Sequence, residues 1–183
     1  LLAQVELGGV VATQVFANDT MVIVIADAGF AGNGSVVLTA DSGATVFTDD
    51  EGWQYIEEGS VSSVEPGSGQ FGTIVTIRGE RLRGAGSTVV QVVLGRTAVE
   101  SIEFENDTMV IVVANHSNAT ETSEDVVLIA DSAAVVRSNE TWQYLEEGVI
   151  DTVTPASGQY GTRVVIEGSR MLGGGSAMQT VEL

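Results

Sequence analysis

The sequence predicts an all-β protein built from β-sandwich domains in tandem. Apolar and polar residues alternate with period 2 in VTIRG and VVIEG, and β-branched runs such as TVVQVVL and MVIVI have strand length. Gly, Asn, Asp and Ser bound these runs, and no stretch carries a sustained 3.6-residue apolar period with caps. Short strands at this spacing, without helices, indicate a β-sandwich of roughly 90 residues per domain.

An internal repeat supports the tandem arrangement. The two prolines, Pro66 and Pro155, are 89 residues apart, and so are the two tryptophans, Trp53 and Trp142. WQYIEEG returns as WQYLEEG, and NDTMVIV returns 88 residues after its first occurrence, which indicates single-residue indels in loops. A β-solenoid is the alternative, but solenoid rungs are usually far shorter than this repeat.

The phase of the repeat predicts where the domains are divided. The opening LLAQVEL and the closing AMQTVEL both match the strand TVVQVVL at residues 88–94. We therefore expect residues 1–58 to be the C-terminal part of one domain, 59–148 a complete domain, and 149–183 the N-terminal part of the next. The chain starts at Leu1 without a basic leader, which we interpret as a processed product or a piece of a longer chain.

Composition excludes several functional classes. The chain has 25 acidic residues against seven Arg and no Lys, a net charge of -18, so it would repel nucleic acid and anionic membrane surfaces. The longest apolar runs, residues 21–26 and 109–114, are far short of the roughly 20 residues that insertion into a membrane needs. With no Cys and a single His, a disulfide framework, a cysteine zinc site, a Cys nucleophile and a Lys Schiff base are all excluded.

Two segments resemble the opening of the IPT/TIG domain family. They are VSSVEPGSGQFGTIVTIRG and IDTVTPASGQYGTRVVIEG, and the following VVLGRTAV and the WQY segments resemble later strands of that family. The resemblance implies tandem immunoglobulin-like sandwiches over essentially the whole chain. It also implies structural roles for the motif residues, with Phe71 and Tyr160 closing one end of each sandwich and Trp53 and Trp142 packing in or near the core. Because the family is a fold found in receptors, adhesins, enzymes and transcription factors, it does not by itself name a function.

The asparagines are the most informative residues. All six lie in the N-glycosylation sequon N-x-[ST], and they are Asn18, Asn33, Asn106, Asn115, Asn118 and Asn139. A randomly placed Asn would meet this rule with a probability of about 0.17, so six of six is expected only about 3 times in 100,000. Because the repeat links Asn18 to Asn106, one of the six is discounted, which leaves about 2 in 10,000. We predict that Asn18 and Asn106 precede strands, that the other four lie in polar loops, and that the chain carries N-glycans and is secreted.

Acidic clusters raise a metal hypothesis. The run of residues 49–51 and the Glu pairs at 57–58 and 146–147 could supply oxygen ligands to calcium, but no D-x-D-x-[DN]-G pattern is present and SNE replaces DDE in the second repeat. We interpret them as a solvated acidic face, with bound calcium as the alternative. We assign no catalytic residue, no metal ligand and no cofactor, expect no enzyme activity, and expect His116 to be an exposed loop residue.

Two functional hypotheses follow from these features. The main one is a structural repeat unit of a heavily N-glycosylated extracellular fibre, which polymerises end to end by completion of half-domains or forms part of a longer repeat chain. Its partner would be a further copy of the same sequence. The alternative is a stalk or ligand-binding ectodomain of a cell-surface receptor or adhesin, with a bare apolar patch on one sheet.

Overall fold

The computed structural model describes residues 2–118 and 123–183. These residues form strands, turns and loops without any helix, so none of the described segments is a helix long and apolar enough to span a membrane. The all-β immunoglobulin-like fold class is confirmed. The chain divides into two compact units, Leu1–Glu57 and Glu58–Leu183. The three-part division at 1–58, 59–148 and 149–183 stays a prediction.

The first unit contains three sheets. Its strands are β1 (Leu2–Leu7), β2 (Val10–Val11), β3 (Thr13–Ala17), β4 (Val22–Ile25), β5 (Gly32–Gly34), β6 (Val36–Ala40), β7 (Thr45–Phe47) and β8 (Trp53–Tyr55). A four-stranded sheet has the order β2-β1-β6-β7, and β3-β4 and β5-β8 form antiparallel pairs. Val5, Leu7 and Ala12 form a small buried cluster in this unit.

The second unit contains a complete sandwich followed by a hairpin. Its strands are β9 (Ser60–Glu65), β10 (Ser68–Gly69), β11 (Ile74–Glu80), β12 (Val89–Leu94), β13 (Thr97–Ala98), β14 (Ser101–Glu105), β15 (Met109–Val113), β16 (Ser123–Ala130), β17 (Val135–Tyr144), β18 (Val149–Thr154) and β19 (Val165–Ser169). One sheet has the order β14-β15-β11-β9 and the other β10-β17-β16-β12-β13, with β10 parallel to β17. The hairpin pairs β18 with β19.

Alternation along the strands places the core between the two sheets. Val110 and Val112 of β15 are fully buried, whereas their neighbours in the strand are only half-buried. Val75 and Ile77 of β11 show the same alternation and lie beside them, because Val75 pairs with Val112 and Ile77 with Val110. Burial of each such side chain contributes about 1.5–3 kcal/mol, so this layer is a principal source of stability.

The repeated tryptophan packs as the resemblance implies in the complete sandwich. Trp142 is fully buried, and its ring contacts Tyr144 edge to face with 5.6 Å between ring centroids. Residues two apart on a strand share a face, which brings the two rings together. Trp53 and Tyr55 repeat this arrangement in the first unit at 5.7 Å, where both rings are half-buried.

The two repeats also agree in strand register. In β14 and β15, Ser101 pairs with Val113, and a bulge follows Ile102. In β3 and β4, the corresponding Thr13 pairs with Ile25, with a bulge at the same place. Both strands of this hairpin are therefore offset by the same 88 residues between the two repeats.

Candidate functional surface

The two NDT sequons form the same turn. Asn106 Oδ1 accepts hydrogen bonds from the backbone N–H of Thr108 at 2.8 Å, from its hydroxyl at 3.0 Å and from the N–H of Met109 at 2.7 Å. Asn18 Oδ1 accepts the same three bonds from Thr20 and the residue after it, at 2.9, 3.1 and 2.7 Å. Every one of these bonds uses Oδ1, whereas an N-glycan is attached to Nδ2, so the turn and a glycan are compatible.

The remaining sequons lie on several kinds of backbone. Asn115 and Asn118 follow β15 in a loop, as predicted; Thr120 of the second of these sequons lies outside the described residues. Asn33 and Asn139 lie within β5 and β17, so the prediction that they occupy loops is wrong. Both are nevertheless exposed.

A half-buried ion pair joins the β14 hairpin to the loop after β11. Arg83 Nε and Nη2 donate to the two carboxylate oxygens of Glu105 at 2.8 and 2.9 Å. The Thr88 hydroxyl and the Val89 N–H also donate to this carboxylate. The hydrogen bond from Arg83 lowers the pKa of Glu105, and burial opposes that shift. This pair is not visible in the sequence, because its members are 22 residues apart and only the bulge after Ile102 turns Glu105 toward the inner face.

The single histidine lies in an aromatic and acidic cluster. The His116 ring stacks on Phe71 with centroids 3.7 Å apart, and its Nδ1 is 2.7 Å from a carboxylate oxygen of Glu147. The ring is largely exposed, as predicted, and Phe71 is partly covered by it. Tyr160, at the equivalent position of the next repeat, is fully exposed, and its role in closing a sandwich end stays a prediction.

The acidic pair at residues 146–147 contacts two side chains near the β18–β19 hairpin. Glu146 binds Arg170 Nη2 at 3.0 Å, while Glu147 binds His116. Over residues 2–118 and 123–183, no three His, Asp or Glu side chains come together in a geometry that could hold a metal ion. Glu146 and Glu147 therefore bond to neighbouring surface side chains, Arg170 and His116.

The hairpin at 149–183 exposes an apolar face. Val153 is 41% exposed and Ile150 62%, whereas their equivalents in the complete sandwich, Val64 and Val61, are buried or half-buried. Ile150 and Val153, together with side chains of residues 178–183, line an open groove. In the first unit, Val22 and Val24 of β4 are half-exposed, although the equivalent Val110 and Val112 are fully buried. Residues 149–183 and strand β4 thus expose side chains whose equivalents in the complete sandwich are buried or half-buried.

A family comparison matches the complete sandwich. The family model of the IPT/TIG domain matches residues 60–144, which run from the first to the last strand of that sandwich. Comparison with curated proteins gives no match.

Several solved structures are similar to parts of the chain. An auxiliary nutrient binding protein from Bacteroides ovatus is 21% identical with a TM-score of 0.40, over 53% of this chain and 23% of its own. The SGBP-B of a Bacteroides ovatus mixed-linkage glucan utilization locus, in complex with a mixed-linkage heptasaccharide, is 15% identical with a TM-score of 0.38, over 81% and 39%. A gamma-CGTase from alkalophilic Bacillus clarkii is 21% identical with a TM-score of 0.40, over 70% and 20%. The chain thus spans well under half the length of each.

Proposed function

We propose that the chain is a stretch of a secreted or cell-surface ectodomain, in which tandem immunoglobulin-like sandwiches act as a stalk or present a ligand-binding surface. The observation that carries the proposal is the repeated NDT turn, which holds a sequon Asn at the same hairpin in both repeats. Asn33 and Asn139 place two more sequons on exposed strand faces. N-glycans need such accessible backbone, and secretory compartments supply them.

The proposal assigns no catalysis to the chain. Its one His is stacked on Phe71 and bonded to Glu147, and the strongly paired carboxylate of Glu105 is engaged by Arg83 and two further donors. These contacts give both groups structural roles. Packed strands and an acidic surface suit a spacer that stays soluble through its charge.

The test is to locate the native protein on intact cells. Antibodies against residues 59–148 should label unpermeabilised cells or their surrounding matrix, and surface proteolysis should remove the signal. Labelling that appears only after permeabilisation would contradict the proposal.

A fibre is the second candidate, and the two open apolar faces favour it. In the complete sandwich, β11 pairs with β15 so that Val75 lies opposite Val112 and Ile77 opposite Val110. By the repeat offsets of 89 and 88 residues, Val164 corresponds to Val75 and Val24 to Val112. The same register would therefore set Val164 of one copy opposite Val24 of a second copy. The second copy's β4 would then cover the β19 edge, and successive copies would build an open filament.

A paired substitution supports this match. Arg83 and Glu105 correspond by the repeat offsets to Leu172 and Ala17. The complete domain thus carries an ion pair where both part-domains carry apolar residues. A single replacement would bury an unpaired charge, which is strongly unfavourable, whereas replacement of both partners is tolerated. Residues 172 and 17 are therefore compatible neighbours in one composite sandwich.

The absence of Cys makes the register directly testable. Val164→Cys with Val24→Cys should form an intermolecular disulfide on oxidation, because opposed residues of an antiparallel pair lie within bonding range. Val165→Cys with Val24→Cys is the matched control, since a one-residue slip points the two thiols to opposite faces. Equal cross-linking of both pairs, or of neither, would contradict the fibre register. Residues 177–183 of one copy and 1–7 of the next match the same strand of the complete sandwich, so a composite sandwich needs only one of them. A chain ending at Ser176 should therefore still form the cross-link.

A further inference from the structure

An exposed phenylalanine precedes each NDT turn by two residues. Phe104 lies in β14 and Phe16 in β3, and their rings are 44% and 42% exposed. Each pairs across its hairpin with an isoleucine, Ile111 or Ile23, on the outer face of the sheet. A single exposed apolar side chain is ordinary. Its recurrence at the same position beside the same turn calls for a common partner.

Strand geometry places the Phe and the sequon Asn on one face. Residues two apart along a strand point to the same side, about 6.6 Å apart. Phe104 and Asn106 are two apart, and Glu105 between them points the opposite way, into its contact with Arg83. The corresponding residue in the first repeat, Ala17, is half-buried, which gives Phe16 and Asn18 the same outward placement.

We propose that the rings of Phe16 and Phe104 are platforms for the first sugar of N-glycans on Asn18 and Asn106. The occupant is an N-acetylhexosamine joined to Asn Nδ2, whose C–H face packs flat on the ring by dispersion. The Oδ1 bonds of the turn fix the Asn side chain, so the sugar starts from a defined direction. The inference rests on the proposed glycosylation and adds that the glycan stabilises the hairpin.

Two of the remaining sequons supply an internal control. Asn139 has Arg137 two residues before it, and Asn33 has Ala31, so neither offers an aromatic ring at that position. A glycan at Asn139 also sits in the middle of β17 rather than at a turn. The effect of this glycan on stability should therefore be the same whichever residue stands at position 104.

The experiment is a double-mutant cycle on the full chain. One background keeps the Asn106 sequon alone, and a second keeps Asn139 alone. Each is made in a secreting eukaryotic host, trimmed to the first sugar and verified by mass, and also in a bacterial host that adds no glycan. Urea unfolding is compared for Phe104, Phe104→Leu and Phe104→Tyr.

The glycan on Asn106 should raise the folding equilibrium constant about two- to tenfold more with Phe104 than with Phe104→Leu, the range of ordinary aromatic contacts. Phe104→Tyr should retain the gain, and the Asn139 background should show none. The N-acetyl or ring protons of the sugar should shift upfield through the ring current of Phe104. An equal glycan effect in the Phe104 and Phe104→Leu chains, without an upfield shift, would overturn the stacking. Absence of glycan from the native protein would instead count against the proposed function.

Discussion

At the scale of single residues, one asparagine side chain serves both the turn and the surface. Asn106 Oδ1 holds three donors of the turn between β14 and β15, and Nδ2 takes no part in those bonds. The fold therefore needs an oxygen acceptor at this position, whereas glycosylation needs the amide nitrogen. Substitutions can separate the two requirements.

Two substitutions at Asn106, made in protein without glycans, isolate the part played by the Oδ1 acceptor in the turn. Asn106→Asp keeps the acceptor, so its free energy of unfolding should stay within about 0.5 kcal/mol of the unchanged chain. Asn106→Ala loses the acceptor and should lower that free energy by about 0.5–1.5 kcal/mol. Urea unfolding followed by tryptophan fluorescence measures both. Equal stability of the two variants would show that the turn does not depend on the Oδ1 bonds.

The second prediction concerns pH. The hydrogen bond from Arg83 lowers the pKa of Glu105 in the folded chain, below its ordinary value of 4.5. A depressed pKa means that the carboxylate contributes stability above the ordinary pKa, and that this contribution is lost as pH falls through the lowered folded value. Glu105→Gln should therefore flatten the acid limb of the stability–pH curve below about pH 4.5. Glu103→Gln, on the exposed face of the same strand, is the control and should leave that limb steep.

At the scale of elements, the alternation of apolar and polar residues predicted which segments are strands. It did not predict where each strand begins and ends. Runs such as MVIVV became β15 because β-branched residues suit a half-buried strand. Residues 138–140 are Ser, Asn and Glu, which favour loops, yet they lie within β17. They form the bulge between the pairs Val127–Arg137 and Asp125–Thr141, so the ladder on both sides keeps them in the strand. Tertiary pairing supplied what local propensity did not indicate.

The local features of the candidate surface could be predicted from the sequence, and those that depend on packing could not. The sequons are visible in the sequence because their rule is local, and the NDT turns follow from the same residues. Two other features are not local: the Arg83–Glu105 pair and the placement of Phe104 beside Asn106. The first depends on packing between separate strands, and the second on which face of β14 meets the core.

The third prediction compares equivalent side chains in two hairpins. Ile77→Ala removes a fully buried side chain from β11 and should lower the free energy of unfolding by about 2–5 kcal/mol. Ile166 is its equivalent in β19 but is half-exposed, so Ile166→Ala should cost clearly less in the isolated chain. Thermal and urea unfolding would decide it. Similar losses for both would mean that residues 149–183 are already covered in solution.

At the scale of the whole molecule, the acidic charge sets the electrostatics of the surface. A net charge of -18 keeps copies apart at low ionic strength, and salt screens this repulsion within about 10 Å at 0.1 M. The fibre candidate therefore predicts self-association that strengthens as salt rises, which sedimentation velocity can follow. Association that weakens with salt would point to ion pairs, and not apolar completion, as its source.

The central claim is that this is a secretory glycoprotein built on tandem immunoglobulin-like sandwiches. Intact glycopeptide mass spectrometry of the native protein tests it most directly. We expect N-glycans on most of the six sequon asparagines, with Asn18 and Asn106 occupied alike because their turns are the same. Native protein with all six asparagines unmodified would contradict it.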